Sequence, residues 1–116
     1  MIAKKYRFHG HGSLKYVFTH GKTVRSPHFG IRFVANKRRQ DYRLAVIVSK
    51  KVAPLAVTRN RIRRRLFEQM RLSIPSSAGA VDMALVVYDK ALLDLSAEEL
   101  EETVNKLLSQ IVKKAV

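Results

Sequence analysis

Three consecutive patterns restrict this chain more than anything else in it. "RLAVIVSKK" (43–51) is a β-branched run, "TRNRIRRRLFEQM" (58–70) has helical spacing, and "AVDMALVVYD" (80–89) is a second apolar run. Both flanking runs are too continuously apolar for a half-exposed strand, so each reads as a buried strand, the first of them central. A helix between two buried strands implies a crossover, and with it a mixed sheet with helices packed on it.

The other elements fit around that unit. "HFGIRFVAN" (28–36) alternates Phe29, Ile31 and Phe33 on one face with Gly30, Arg32 and Val34 on the other, which is strand period. "NKRRQD" (36–41) then reads as an exposed basic hairpin loop between this strand and the next. "KTVR" (22–25) is a short additional strand candidate. Ahead of it, Ser13 is placed to N-cap a short helix through Phe18, with Leu14, Val17 and Phe18 apolar and Gly21 as the stop. "PSSAGAVD" (75–82) is a loop by composition, and Pro75 ends the arginine helix. Ser96 and Glu99 form a capping box for a last helix with Leu100, Val104, Leu107, Leu108 and Ile111 on its apolar face. Acids at Glu98, Glu99, Glu101 and Glu102 and cations at Lys113 and Lys114 suit its dipole. The expected fold is α+β, a small mixed sheet with helices packed on it, in the order α-β-β-(β)-α-β-α. The expected organisation is one domain over 1–116 with residues 1–12 flexible.

Charge separates the scaffold from the surface that meets a partner. Net charge is +14. Residues 1–74 carry 19 Lys and Arg against Asp41 and Glu68, a net of +17, whereas residues 75–116 carry 4 against 7 acids, a net of −3. One surface is therefore expected to meet a polyanion. The chain has no cysteine, which rules out disulfides, thiolate metal sites and a cysteine nucleophile. An apolar content of 47% separates it from disordered basic tails. The basic N-terminus lacks the apolar run of a signal peptide or a membrane span, so the expected location is cytoplasmic.

The helical stretch holds most of the information about function. Thr58 is its expected N-cap, and Ile62, Leu66 and Met70 recur at every fourth position as a core-facing stripe. Arg61, Arg64, Arg65 and Arg71 fall in an opposite arc of roughly 120°, taking about 100° per residue. Arg59 sits in the first turn, where a cation opposes the helix dipole. Like charges four apart, such as Arg61 and Arg65, destabilise a helix, and Glu68 is expected to relieve only Arg64 or Arg65. A helix that tolerates this repulsion is compensated by an anionic partner. Arginine favours nucleic acid over lipid, because its guanidinium fork pairs with phosphate and stacks on bases. The narrow apolar stripe also leaves nothing for a membrane.

The stretch "RLAVIVSKKVAPLAVTRNRIRRRL" resembles the bacterial ribonuclease P protein component family. Its motif is a strand ending Val-Ser-Lys-Lys, a linker, then Arg-Asn-Arg-hydrophobic-Lys/Arg-Arg at a helix start. Here these are Val48, Ser49, Lys50 and Lys51, then Arg59, Asn60, Arg61, Ile62, Arg63 and Arg64. The length, "HGKTVRSPHF" and the closing strand and helix agree as well. The departures are Ala45 where glycine is usual, Pro54 in the linker, and Phe67 where arginine is frequent. Phe67 either widens the core stripe or stacks on a partner.

The resemblance implies a subunit of a ribonucleoprotein endonuclease that removes the 5′ leader of precursor tRNA. It implies metal-dependent hydrolysis by the RNA subunit, with Mg²⁺ entering through that RNA and no catalytic residue on the protein. It implies a fold like domain 2 of ribosomal protein S5, with a left-handed β-α-β crossover. By carry-over, Lys50, Lys51, Arg59, Asn60, Arg61, Arg63, Arg64 and Arg65 meet the catalytic RNA. Asn60 either bonds RNA or caps the helix, and Arg63, near the apolar stripe, is expected to extend past the core. The leader lies in a cleft between the first helix and the sheet, where the expected contacts are Leu14, Phe18, Arg32 and Arg43. The family has two aromatics four apart on that helix, and Leu14 removes one of them. Phe18, Phe29 and Phe33 are either cleft or core. The partners implied are ribonuclease P RNA and precursor tRNA, with no membrane and no small-molecule substrate.

Competing readings are weaker. "GHGSLK" (10–15) lacks the spacing and the preceding strand of a phosphate loop. His9 and His11 have no cysteine or acid nearby to complete a metal site. A structural RNA-binding protein, such as a ribosomal component, would share the charge and fold type but not the Arg-Asn-Arg and Ser-Lys-Lys arrangement.

Overall fold

The structure, a computed structural model, describes residues 11–35, 42–74 and 81–115, without the side chains of 11–13 and 113–115. The elements run α1 (His11–His20), β1 (Lys22–Arg25), β2 (Phe29–Ala35), β3 (Arg43–Ile47), α2 (Ala56–Ser73), β4 (Val81–Val87), a 3₁₀ helix (Lys90–Asp94) and α3 (Ala97–Ala115). The sheet order is β1-β2-β4-β3, with β3 and β4 parallel and the other pairs antiparallel. This is the α+β architecture expected, and the short strand at 22–25 is real.

Two expectations change. No hairpin joins β2 to β3, because β4 lies between them, and β3 stands at the sheet edge instead of its centre. The physical reason is that β4 is apolar on both faces, six of its seven residues being buried, so it takes the most enclosed position. Residues 36–41, read as the basic loop, lie outside the described residues, as do 75–80 and most of the segment read as flexible.

Alternation along the strands makes two unlike sheet faces. One presents Val24, Phe29, Ile31, Phe33, Leu44, Val46, Met83, Leu85 and Val87 to the main core. Helix α2 closes that face with Ile62, Leu66 and Met70, all fully buried, and α3 with Leu100, Val104, Leu107, Leu108 and Ile111. Phe29 and Phe33 are therefore both core, and half-buried Phe67 packs against the same cluster. The second face presents Arg25, Gly30, Arg32, Arg43, Asp82, Ala84 and Val86. Helix α1 packs on this side, against β2 and β4, where Arg32 Nε donates to the carbonyl of Val17 (3.3 Å). Val17 and Ala84 are both fully buried yet outside the main core cluster.

The helix ends follow local chemistry. Helix α1 already includes Ser13, so Ser13 is not its cap, but Gly21 does stop it, donating to Val17 O at 2.8 Å. A Cβ on Gly21 would stand 2.4 Å from that oxygen and 2.8 Å from Phe33 O, so only glycine allows the chain to turn directly into the sheet. Helix α2 starts two residues before Thr58, with Leu55 as a cap that makes no side-chain bond. It ends as expected before Pro75: Ile74 is extended (φ −71°, ψ 118°), as the residue ahead of a proline must be. The capping box forms as read, with Ser96 Oγ accepting from Glu99 N (3.1 Å) and Glu99 Oε1 from Ser96 N (3.2 Å).

Arg43 and Asp82, opposite each other on β3 and β4, form a buried two-pronged pair: Nε to Oδ1 is 2.9 Å and Nη2 to Oδ2 is 2.7 Å. Hydrogen bonding to Asp82 raises the Arg43 guanidinium further above its ordinary value. Removing one member takes away the two-pronged contact that the other makes across the β3–β4 pair. Asp82→Ala is expected to cost roughly 3–5 kcal/mol in urea unfolding. The double variant Arg43→Met/Asp82→Leu is expected to recover most of that loss.

Candidate nucleic-acid interface

Burying Ile62, Leu66 and Met70 fixes the orientation of α2, and the arginines take what remains of its surface. They do not all do the same thing. Arg61 and Arg64 are exposed and make no hydrogen bond or ion pair among the described residues. Half-buried Arg63 donates from Nη1 to Asn60 Oδ1 (3.2 Å). Asn60 stands inside the helix, so it accepts from Arg63 and is no cap.

Arg59 and Arg65 face their own chain. Arg59 Nη1 donates to the carbonyls of Ala53 and Pro54, both at 2.9 Å, tying the linker to the first turn of α2. Arg65 grips the 3₁₀ helix, donating from Nη1 to Leu92 O (2.9 Å) and Leu93 O (3.0 Å) and from Nη2 to Leu95 O. The sequence carried no signal for this role, because the acceptors are backbone carbonyls of an element that periodicity did not reveal.

Glu68 pairs with Arg71, three residues on, and not with Arg64 or Arg65. Arg71 Nε donates to Glu68 Oε2 (3.2 Å) and Nη2 to Oε1. That hydrogen bonding lowers the Glu68 carboxyl below its ordinary value, which favours the ionised pair. With Arg71 engaged, Glu68 leaves the cations of Arg61 and Arg64 unmatched. An open groove lined by Arg61, Arg64, Arg65, Glu68 and Leu93 runs beside them.

Upstream, the Ser49 hydroxyl accepts from Val52 N (3.2 Å) and its carbonyl from Ala53 N (3.1 Å). This closes a turn that leaves Lys50 and Lys51 exposed just ahead of α2. Exposed cations at this spacing can neutralise successive phosphates with little rearrangement.

The second set of residues surrounds α1. Leu14 is half-buried, and Phe18 is 38% exposed. Half-buried Arg32 bridges α1 to β1, its Nη1 donating to Thr23 Oγ1 (3.0 Å) in addition to the Val17 bond. Arg43 is the correction: its burial against Asp82 withdraws it from the surface and gives it a role in the sheet. Sequence reading also missed Tyr16 and His20, whose exposed rings stack at 4.3 Å. Their four-residue spacing was the available signal, overlooked because Leu14 and Phe18 held the same spacing.

Comparison with known proteins decides the identity of the family. The family model described as Ribonuclease P matches residues 2–112. The chain belongs to the ribonuclease P protein family. The ribonuclease P protein component of Chloroflexus aurantiacus is 33% identical over 109 residues, covering 94% of this chain and 79% of that protein. The solved ribonuclease P protein of Staphylococcus aureus superposes with a TM-score of 0.70 at 25% identity, over 97% of this chain and 93% of that one. The fold is shared too with the ribonuclease P protein of Thermotoga maritima, with a TM-score of 0.66 at 22% identity and 89% and 91% coverage. As a ribonuclease P protein the chain is a component of that tRNA-processing ribonucleoprotein, and ribonuclease P RNA is its partner.

The division among the arginines has a direct consequence for variants of this ribonuclease P protein. Arg61→Ala with Arg64→Ala is expected to change stability by no more than about 0.5 kcal/mol while weakening RNA binding. Arg65→Ala is expected to cost about 1–3 kcal/mol, because three carbonyls lose their donor. Thermal melts and RNA titrations on the same samples check both.

Proposed function

We propose that the protein binds the ribonuclease P RNA through Lys50, Lys51, Asn60, Arg61, Arg63 and Arg64, and receives the 5′ leader of precursor tRNA on the sheet face beside α1. The observation that carries this reading is the pair of exposed, unmatched guanidinium groups at Arg61 and Arg64 on a helix whose glutamate is committed to Arg71. A helix surface of this kind is destabilised by its own charge until an anion covers it.

In this reading the RNA subunit carries out the hydrolysis with Mg²⁺ that it holds itself, and the protein supplies no reacting group. The protein acts by neutralising phosphates and by holding the leader, so that substrate binding needs less Mg²⁺. Arg59 and Arg65 serve the same end indirectly, Arg59 by fixing the linker that bears Lys50 and Lys51, Arg65 by fixing the wall of the groove. Phe18 and Arg32 are the leader contacts retained from the sequence expectation, with Leu14 as an apolar wall. A cytoplasmic location fits this role, and no helix among the described residues is long and apolar enough to cross a membrane.

Reconstitution tests the reading. Adding the purified protein to a bacterial ribonuclease P RNA at low Mg²⁺ is expected to accelerate cleavage of precursor tRNA, and no gain would overturn it. Binding to the RNA is expected to fall with salt at a log–log slope of several units, since each neutralised phosphate contributes about 0.7–0.9. A flat response would show that the exposed cations do not carry the affinity.

A further inference from the structure

We propose that Tyr88 is a stacking platform for an unpaired nucleotide of single-stranded RNA crossing the second sheet face. This rests on the leader-binding reading above and adds to it a residue and a mode of recognition.

Tyr88 directly follows β4. Val87 points into the main core, so the alternation places Tyr88 on the opposite face, with Arg25, Gly30 and Arg32. Its phenol lies over Gly30: a Cβ on that glycine would stand 2.2 Å from Tyr88 Oη and 3.1 Å from Cζ. The tip of the ring thus occupies space beside bare backbone that a side chain at position 30 would take, so any other residue there would make the ring shift. Despite that seat, 43% of Tyr88 remains exposed, and its hydroxyl makes no hydrogen bond among the described residues. A buried tyrosine normally finds a partner for its hydroxyl, so this one is neither a core residue nor a polar anchor.

The backbone around the ring is fixed. Tyr88 N donates to His28 O at 2.9 Å, which ties the end of β4 to the turn between β1 and β2. The adjacent carboxylate is occupied elsewhere: Asp89 Oδ1 accepts from Ala91 N (3.0 Å), and Oδ2 lies 3.7 Å from His28 Nδ1. Exposed Arg25 is opposite Gly30 in the β1–β2 register and so shares its face. A held, half-exposed ring on the same face as a cation that has no partner among the described residues suits a nucleotide, with the ring for the base and the guanidinium for the phosphate. Stacking of this kind tolerates any base, because every base has a π-face.

The chain has no tryptophan, so Tyr88→Trp creates a single indole reporter. In the holoenzyme reconstituted with ribonuclease P RNA, its emission is expected to be quenched by precursor tRNA and not by mature tRNA lacking the leader. Tyr88→Leu fills the seat on Gly30 without a π-face and is expected to weaken precursor tRNA binding about tenfold, with mature tRNA unaffected. Tyr88→Phe is expected to bind as the natural protein does. If the natural holoenzyme discriminates precursor from mature tRNA, but Tyr88→Leu does so equally well and the indole is not quenched, the Tyr88 proposal is overturned alone. If the natural holoenzyme does not discriminate, the leader reading fails, and this proposal with it.

Discussion

Helix α2 has to bury Ile62, Leu66 and Met70, and the sheet is the surface available to receive them. That packing sets the rotation of the helix about its own axis. Once it is set, the arginines have no freedom over which way they face. Arg61 and Arg64 emerge into solvent, Arg65 meets the 3₁₀ helix, and Arg59 reaches back to the linker. Which of these positive charges reach the surface is thus a consequence of core packing.

The same packing divides like residues into unlike tasks. Guanidinium groups suit both, because the fork that matches a phosphate also matches a pair of backbone carbonyls or a carboxylate. Arg43 shows the third case, closing the β3–β4 edge of the sheet against Asp82. A chain with this much positive charge therefore uses part of it internally, and composition alone overstates the charge available to a partner.

Much of the fold was legible because its signals are periodic. The stripe of α2, the alternation of β2 and the capping box at Ser96 each depend on residues near one another in sequence. The neighbour relations of the strands were not legible. Nothing local to 28–36 or 43–51 says that β4 comes between them, because strand order is decided by which run is apolar on both faces and by where the crossover returns. For the candidate interface, the motif pointed to α2 and the turn before it, and charge spacing singled out Arg61 and Arg64, which the fold leaves exposed. It did not separate these from Arg59, Arg65 and Arg43, whose partners are backbone carbonyls or an acid 39 residues away. The start of α2 was misplaced for a related reason: Thr58 is a good cap by type, but the helix begins at Ala56 without a side-chain cap.

The sheet order also dictates when the molecule can assemble. Strand β4 is the partner of both β2 and β3, yet it is the last strand made. Until residue 87 has left the ribosome, β3 has no neighbour and α2 has no complete surface to lie on. The segment bearing a net charge of +17 is therefore synthesised before the core that organises it can close. Such late, long-range closure is slow and leaves apolar surface uncovered in the meantime.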